Sequence, residues 1–188
     1  MNNEQILMGE YVEFYKKHYD IITPHIDAVK SIIKIKSYIT KKNCKILEYG
    51  CATGFNLRYL QNEGYKNLTG IDGYKEFIDE ALTKEDNINY QYNNFNKETS
   101  EITEEKYDFI FTRGTLQQNK NIKNSKIKNT DDDVKSIFYN FYNMLNLNGL
   151  VVICEGAVRD WIKLTASVNL ARVDVAIKFK NIYIFRKI

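Results

Sequence analysis

The sequence predicts an α/β fold, a largely parallel sheet with flanking helices, preceded by a helical segment at the amino end. Three features of the chain specify it. Five short apolar runs follow one another, each opened by a turn and separated by helical pattern. They are KILEY from Lys45, NLTGIDG from Asn67, NINYQYNNF from Asn87, YDFIFTRGTL from Tyr107 and NGLVVICE at Asn148-Gly149. The first run ends in an acid and a glycine-rich turn, EYGCATG, that leads into an amphipathic helix. The last eighteen residues, ARVDVAIKFKNIYIFRKI, alternate as two strands joined by a tight turn near Lys180-Asn181.

In chain order, the first forty residues read as two helices. Ile6, Leu7, Tyr11, Phe14, Tyr15 and His18 recur at helical spacing, and Thr23-Pro24 supplies an N-cap and first-turn proline for a second helix through about Tyr38. The aromatic stripe reads as core packing, with Tyr11, Tyr15 and Tyr19 as alternative candidates to reach a site. His18 and His25 have no nearby acid or cysteine at metal-ligand spacing and read as solvent-exposed or capping residues.

The turn after the first run has the character of a nucleotide-type cofactor loop. Gly50 and Gly54 allow close approach of backbone to a ligand, and Ala52 keeps the turn shallow while departing from a strict G-x-G-x-x-G spacing. Glu48 can accept hydrogen bonds from a cationic or hydroxylated group. Asp72 lies 24 residues further on, the separation that a strand, loop, helix and second strand require before a carboxylate reaches a ribose diol. The third run ends at Asn94 and Phe95, a polar and an apolar side chain suited to a purine edge and face. The fourth carries Asp108 and Arg113.

Beyond Leu116, QQNKNIKNSKIKNTDDDV has little apolar periodicity. It reads either as a loop that closes over an acceptor or as a solvated linker. Asp131 to Asp133 then favour a helix amino terminus, and Ile137, Phe138, Phe141 and Leu145 give that helix its apolar face. Only about fifteen residues, Gly156 to Leu170, separate the fifth and sixth strands, which leaves no room for a large capping insertion. Trp161 reads as packing against the sheet, or alternatively as lining an acceptor pocket.

From about Lys45 to Ile188 these motifs resemble the class I S-adenosylmethionine-dependent methyltransferases. EYGCATG matches the family's first motif, GIDGY its second, YDFIF its fourth, and LNLNGLVVICE its fifth, with Asn146-Leu147-Asn148-Gly149 in place of the usual K-P-G-G turn. Among subfamilies it looks most like small methylases associated with pseudaminic acid and other surface-sugar biosynthesis.

The resemblance implies a Rossmann-like sheet of seven strands in the order 3-2-1-4-5-7-6, with strand 7 antiparallel. It also implies a single domain over 1–188, with a helical cap over 1–40 and a core over 41–188. The implied cofactor is S-adenosyl-L-methionine, released as S-adenosyl-L-homocysteine, with no metal. Gly50, Cys51, Ala52 and Gly54 would shape the loop against its methionine and ribose portions, and Glu48 would orient the amino end. Asp72 would accept the ribose hydroxyls, Asn94 and Phe95 would hold adenine, and Asn56 and Gly73 complete the set. Arg113 is expected beside the transferred methyl. Many relatives carry a histidine where this chain has Gln118, preceded by Gln117, and an amide cannot act as a general base near neutral pH. Arg113, Gln117 and Gln118 are the catalytic candidates.

Composition narrows the acceptor. A net charge of +3, from 27 basic and 24 acidic residues, falls well short of a nucleic-acid footprint. The fourth run is followed by neither an N-P-P-Y-like sequence nor a Pro-Cys nucleophile. A small-molecule acceptor methylated on oxygen or nitrogen is expected, a sugar or sugar nucleotide among them. The alternatives are a non-catalytic cofactor-binding relative and a nucleic-acid or protein methyltransferase. A dehydrogenase would suit the loop but not the terminal strand pair. No apolar run approaches twenty residues, and MNNEQILMGE is too polar for a signal peptide. Cys44, Cys51 and Cys154 form no C-x-x-C pair and read as apolar fillers, consistent with a reducing cytoplasm. Nothing in the chain specifies an oligomeric state.

Overall fold

The structure, a computed structural model, describes residues 1–19, 27–93, 104–116, 130–155, 165, 168, 170–172 and 182–188. In chain order the elements are α1 (Asn3–Tyr19), α2 (Asp27–Lys36), β1 (Lys45–Tyr49), α3 (Phe55–Asn62), β2 (Asn67–Asp72) and α4 (Lys75–Ala81). They continue with β3 (Asn89–Tyr92), β4 (Tyr107–Arg113), α5 (Asp131–Met144), β5 (Leu145–Cys154), β6 (Leu170–Arg172) and β7 (Ile182–Lys187). The strands form one sheet in the order β3-β2-β1-β4-β5-β7-β6, and β7 runs antiparallel to both β5 and β6. This is the order that the family resemblance implies. Thr23-Pro24, His25, the loop after Leu116, Trp161 and the turn at Lys180-Asn181 lie outside the described residues.

The chain divides into two compact units, Met1–Cys44 with Cys51–Asn93, and Lys45–Gly50 with Asn94–Ile188. In the first, β2 and β3 pair in parallel from Thr69 opposite Asn89 to Asp72 opposite Tyr92. Helix α1 buries Leu7, Tyr11 and Phe14, one stripe at i, i+4 and i+7. Ile6, expected on that stripe, is 39% exposed, because it lies a hundred degrees round the helix from Leu7. Phe14 packs edge-on against Phe55 and Phe77, with ring centroids 5.4 and 5.2 Å apart. His18 also differs from expectation. It is a half-buried ring lying 4.9 Å from Phe14 and 5.0 Å from Phe77, with Nε2 3.2 Å from Glu80 Oε2. It closes the last turn of α1 through a partner 62 residues away, which local spacing does not reveal.

In the second unit, β1 pairs with β4 in parallel from Ile46 opposite Phe109 to Tyr49 opposite Thr112, and β4 pairs with β5 from Phe109 opposite Leu150 to Arg113 opposite Cys154. Strand β5 begins at Leu145, ahead of the predicted start after Gly149. Its register shifts opposite Tyr107 to Phe109, and Asn148 adopts φ +64° within that irregular stretch. Asp108 fastens the irregularity. Its Oδ1 accepts from Asn146 Nδ2 at 2.7 Å, while Oδ2 accepts from Lys45 N at 2.9 Å. Helix α5 opens on a capping box formed by Thr130 and Asp133 and buries Val134, Ile137, Phe138, Phe141 and Met144. Cys51 and Cys154 are buried, Cys44 is half-buried, and none of them forms a disulfide. No described helix is long and apolar enough to cross a membrane.

Candidate functional site

In the first unit the site is built on the turn Cys51–Gly54, between the end of β1 and α3. Cys51 N donates to Ile71 O at 3.0 Å, and Gly54 N returns to Cys51 O at 2.9 Å. The turn reverses through two left-handed residues, Ala52 at φ +49° and Gly54 at φ +82°. Gly54 is required twice over: its φ disfavours a side chain, and a Cβ there would lie 2.1 Å from the Tyr90 hydroxyl oxygen. The Tyr90 hydroxyl donates to Asp86 Oδ2 at 3.0 Å, and burial, first among the causes, pushes its pKa up.

Asp72, at the carboxyl end of β2, closes the turn. Oδ2 accepts from Ala52 N at 2.8 Å and Oδ1 from Tyr74 N at 2.9 Å, while its own carbonyl accepts from Asn93 N at 3.0 Å. The residue is 6% exposed. Burial raises its pKa, against the opposing effect of the amides of Tyr74, Ala52 and Gly73. The predicted site residues Cys51, Ala52, Gly54, Asp72 and Gly73 therefore belong to one hydrogen-bonded turn. Asn56, second residue of α3, is buried and accepts a 2.7 Å hydrogen bond from the Tyr11 hydroxyl at Oδ1.

In the second unit, Glu48 is buried on β1, and Gly50 follows with φ +80°. A Cβ on Gly50 would stand 2.0 Å from Thr115 Oγ1, so the glycine admits the turn that follows β4. Arg113, half-buried, ends β4, and Gly114 N donates to Cys154 O at 3.1 Å. Glu155 is a buried acid just past the end of β5 that was not among the candidates read from the sequence. Only 1% exposed, it accepts from Thr115 N at 3.1 Å and from the Thr112 hydroxyl at 3.4 Å, both on Oε1. Its signal was present: VVICE ends an apolar run in an acid, as KILE and TGID do. Asn94, Phe95, Gln117 and Gln118 lie outside the described residues.

A left-handed glycine turn whose amide is held by a buried strand-end acid lies within the stretch of the chain that matches a known family. Residues 26–186 fit the family described as methyltransferase domain. The chain belongs to the class I methyltransferases. Solved structures share the fold. A TehB-like SAM-dependent methyltransferase from Corynebacterium glutamicum is 17% identical, covers 97% of this chain and 99% of its own, and has a TM-score of 0.70. The PH0226 protein from Pyrococcus horikoshii is 12% identical over 95% and 98% of the two chains, with a TM-score of 0.65. SAM-bound CalS10, an amino pentose methyltransferase from Micromonospora echinaspora, is 10% identical over 87% and 91%, with a TM-score of 0.64. At such identities the likeness is one of fold. No curated protein matches the sequence. Among the described residues of this methyltransferase, no group of His, Cys, Asp and Glu side chains is arranged to hold a metal ion.

Proposed function

We propose that the protein transfers a methyl group from S-adenosyl-L-methionine to an oxygen or nitrogen of a small-molecule acceptor, with sugars and sugar nucleotides as the first class to consider. The cofactor supplies an electrophilic methyl group on a sulfonium centre and leaves as S-adenosyl-L-homocysteine. We read the chain as one domain with a helical cap over 1–40, acting in the cytoplasm.

The observation that carries this reading is the 2.8 Å hydrogen bond from Ala52 N to Asp72 Oδ2, which ties the glycine turn to a buried strand-end carboxylate. An ionised carboxylate has about four acceptor sites. Asp72 therefore keeps capacity for hydroxyl donors beyond the amides it already holds, which suits a ribose diol. Gly50, Cys51, Ala52 and Gly54 would present the turn's backbone to the methionine and ribose portions, with Glu48, Asn56 and Gly73 beside them. Asn94 and Phe95 would hold adenine. Arg113 would hold a carboxylate of cofactor or acceptor, the geometry a guanidinium suits. With Gln117 and Gln118 where a base would stand, the protein would act mainly by positioning and electrostatics in an in-line displacement. The sugar acceptor draws support from the description of CalS10 as an amino pentose methyltransferase.

Calorimetric titration with S-adenosylmethionine, S-adenosylhomocysteine and NAD tests the cofactor. Micromolar binding of the first two without NAD supports the reading, and binding of none overturns it. Asp72→Ala should weaken binding by roughly 1–3 kcal/mol while the fold survives. Because burial raises the Asp72 pKa, wild-type affinity should start to fall on acidification at a higher pH than a solvent-exposed aspartate would dictate, and Asp72→Ala should lack that step.

A further inference from the structure

We infer that Glu10 and Arg58 are a positioning pair through which helix α1 sets the cofactor turn, so that the seating of α1 governs cofactor affinity although neither side chain belongs to the proposed binding set. Arg58 is the fourth residue of α3. Its backbone N donates to Gly54 O at 2.9 Å and its Nη1 to Thr53 O at 2.6 Å, so one residue holds two consecutive carbonyls of the turn. The other edge of the guanidinium meets α1. Nε donates to Glu10 Oε1 at 3.1 Å and Nη2 to Glu10 Oε2 at 3.3 Å, a bidentate pair.

The arrangement is electrostatically deliberate. A cation in the opening turns of a helix opposes the helix dipole, and Arg58 is also only 14% exposed. Glu10 answers that cost from one side. Asp86 Oδ2, 3.9 Å from Nη1, answers it from the other while accepting the hydroxyl of the Tyr90 that abuts Gly54. Thr53 O and Gly54 N belong to one peptide plane, so holding the carbonyl also holds the N–H that donates to Cys51 O. The turn needs such a hold, because Ala52 pays for its positive φ. Tyr11, the next residue of α1, donates to Asn56 and repeats the link one side chain further on.

The inference rests on the proposed cofactor reading for its affinity arm alone; the backbone arm is independent. Glu10→Gln keeps the shape and one acceptor but loses the charge, and Arg58→Lys keeps the charge but loses the fork. Hydrogen–deuterium exchange of the unliganded protein should show the amides of Cys51–Phe55 exchanging about tenfold faster in Glu10→Gln, with β2 and β3 unchanged. S-adenosylhomocysteine should bind about tenfold more weakly to each variant. Saturating S-adenosylhomocysteine should restore protection to the turn. If exchange rises in α1 alone while the turn and the affinity stay at wild-type values, the pair only anchors a helix and the inference is overturned. If wild type binds no S-adenosylhomocysteine but the turn still loosens in Glu10→Gln, the cofactor reading fails and the positioning role stands.

Discussion

Helix α5 buries Val134, Ile137, Phe138, Phe141 and Met144 along one side, whereas α1, three residues longer, buries Leu7, Tyr11 and Phe14 and completes its docking with polar links. Those links run from Asn3 to Glu63, Glu10 to Arg58, Tyr11 to Asn56, and Lys17 and His18 to Glu80. Each helix is seated within its own unit. The apolar seam of α5 is non-directional and tolerates small rotations. The seam of α1 is directional, because charge-assisted hydrogen bonds lose strength with angle and distance. A scaffold helix suits the first kind. A helix that sets the geometry of a ligand-binding turn suits the second.

The comparison predicts where truncation hurts most. Phe141 is fully buried, with its ring edge-on to Tyr49 at 5.0 Å and to Phe138 at 6.0 Å. Phe141→Ala should cost about 3–5 kcal/mol in urea unfolding, through lost transfer free energy and the cavity left behind. Tyr11→Phe leaves the ring in place and removes only the hydroxyl that donates to Asn56, in surroundings closed to water. About 1–3 kcal/mol is expected by the same measurement. A Tyr11→Phe loss as large as that of Phe141→Ala would collapse the distinction; a negligible one would reduce α1 to its apolar residues.

How much of this was legible in the sequence follows the same division. Ile137, Phe138 and Phe141 of the predicted α5 face are buried on that helix, because a 3.6-residue apolar period is a local signal, whereas Leu145, expected on the same face, begins β5. The strands and the turn EYGCATG were legible too, since burial and backbone sign leave marks in residue type, while the strand order came from the family resemblance. What escaped was long-range polar pairing. Nothing in the local pattern marks Arg58, His18 reads as a solvated or capping residue, and Glu155 reads as the end of a strand, because their partners lie 40 to 62 residues away. The early start of β5 escaped for a different reason. Asn146 and Asn148 read as turn residues, and only the side chain of Asp108 shows that they continue a shifted ladder.

A smaller effect tests how α5 begins. Thr130 Oγ1 accepts from Asp133 N at 3.2 Å, and Asp133 Oδ2 accepts from Thr130 N at 2.7 Å. Thr130→Ala removes half of that box and should cost about 1 kcal/mol, read as a shift in urea midpoint at constant slope. The same loss should follow in the presence of S-adenosylhomocysteine, since the cap serves the scaffold helix and not the turn.

The smallest effect carries a pH signature. The hydrogen bond from Asn3, then the one from Lys36, holds the Glu63 carboxyl below its ordinary value. The contacts are Asn3 Nδ2 to Oε1 and Lys36 Nζ to Oε2, each 2.9 Å. A carboxyl depressed in the folded state contributes stability above its unfolded pKa, near 4.3, and loses it as pH falls through the folded value. Wild type should therefore exceed Glu63→Gln in stability by less than about 1 kcal/mol at neutral pH, because the group is partly solvated. The gap should hold down to about pH 5, then close in acid, and it should narrow in high salt. A gap that persists at pH 2 would mean the amide disturbs packing among α1, α2 and α3, and the polar seam would then act through shape instead of charge.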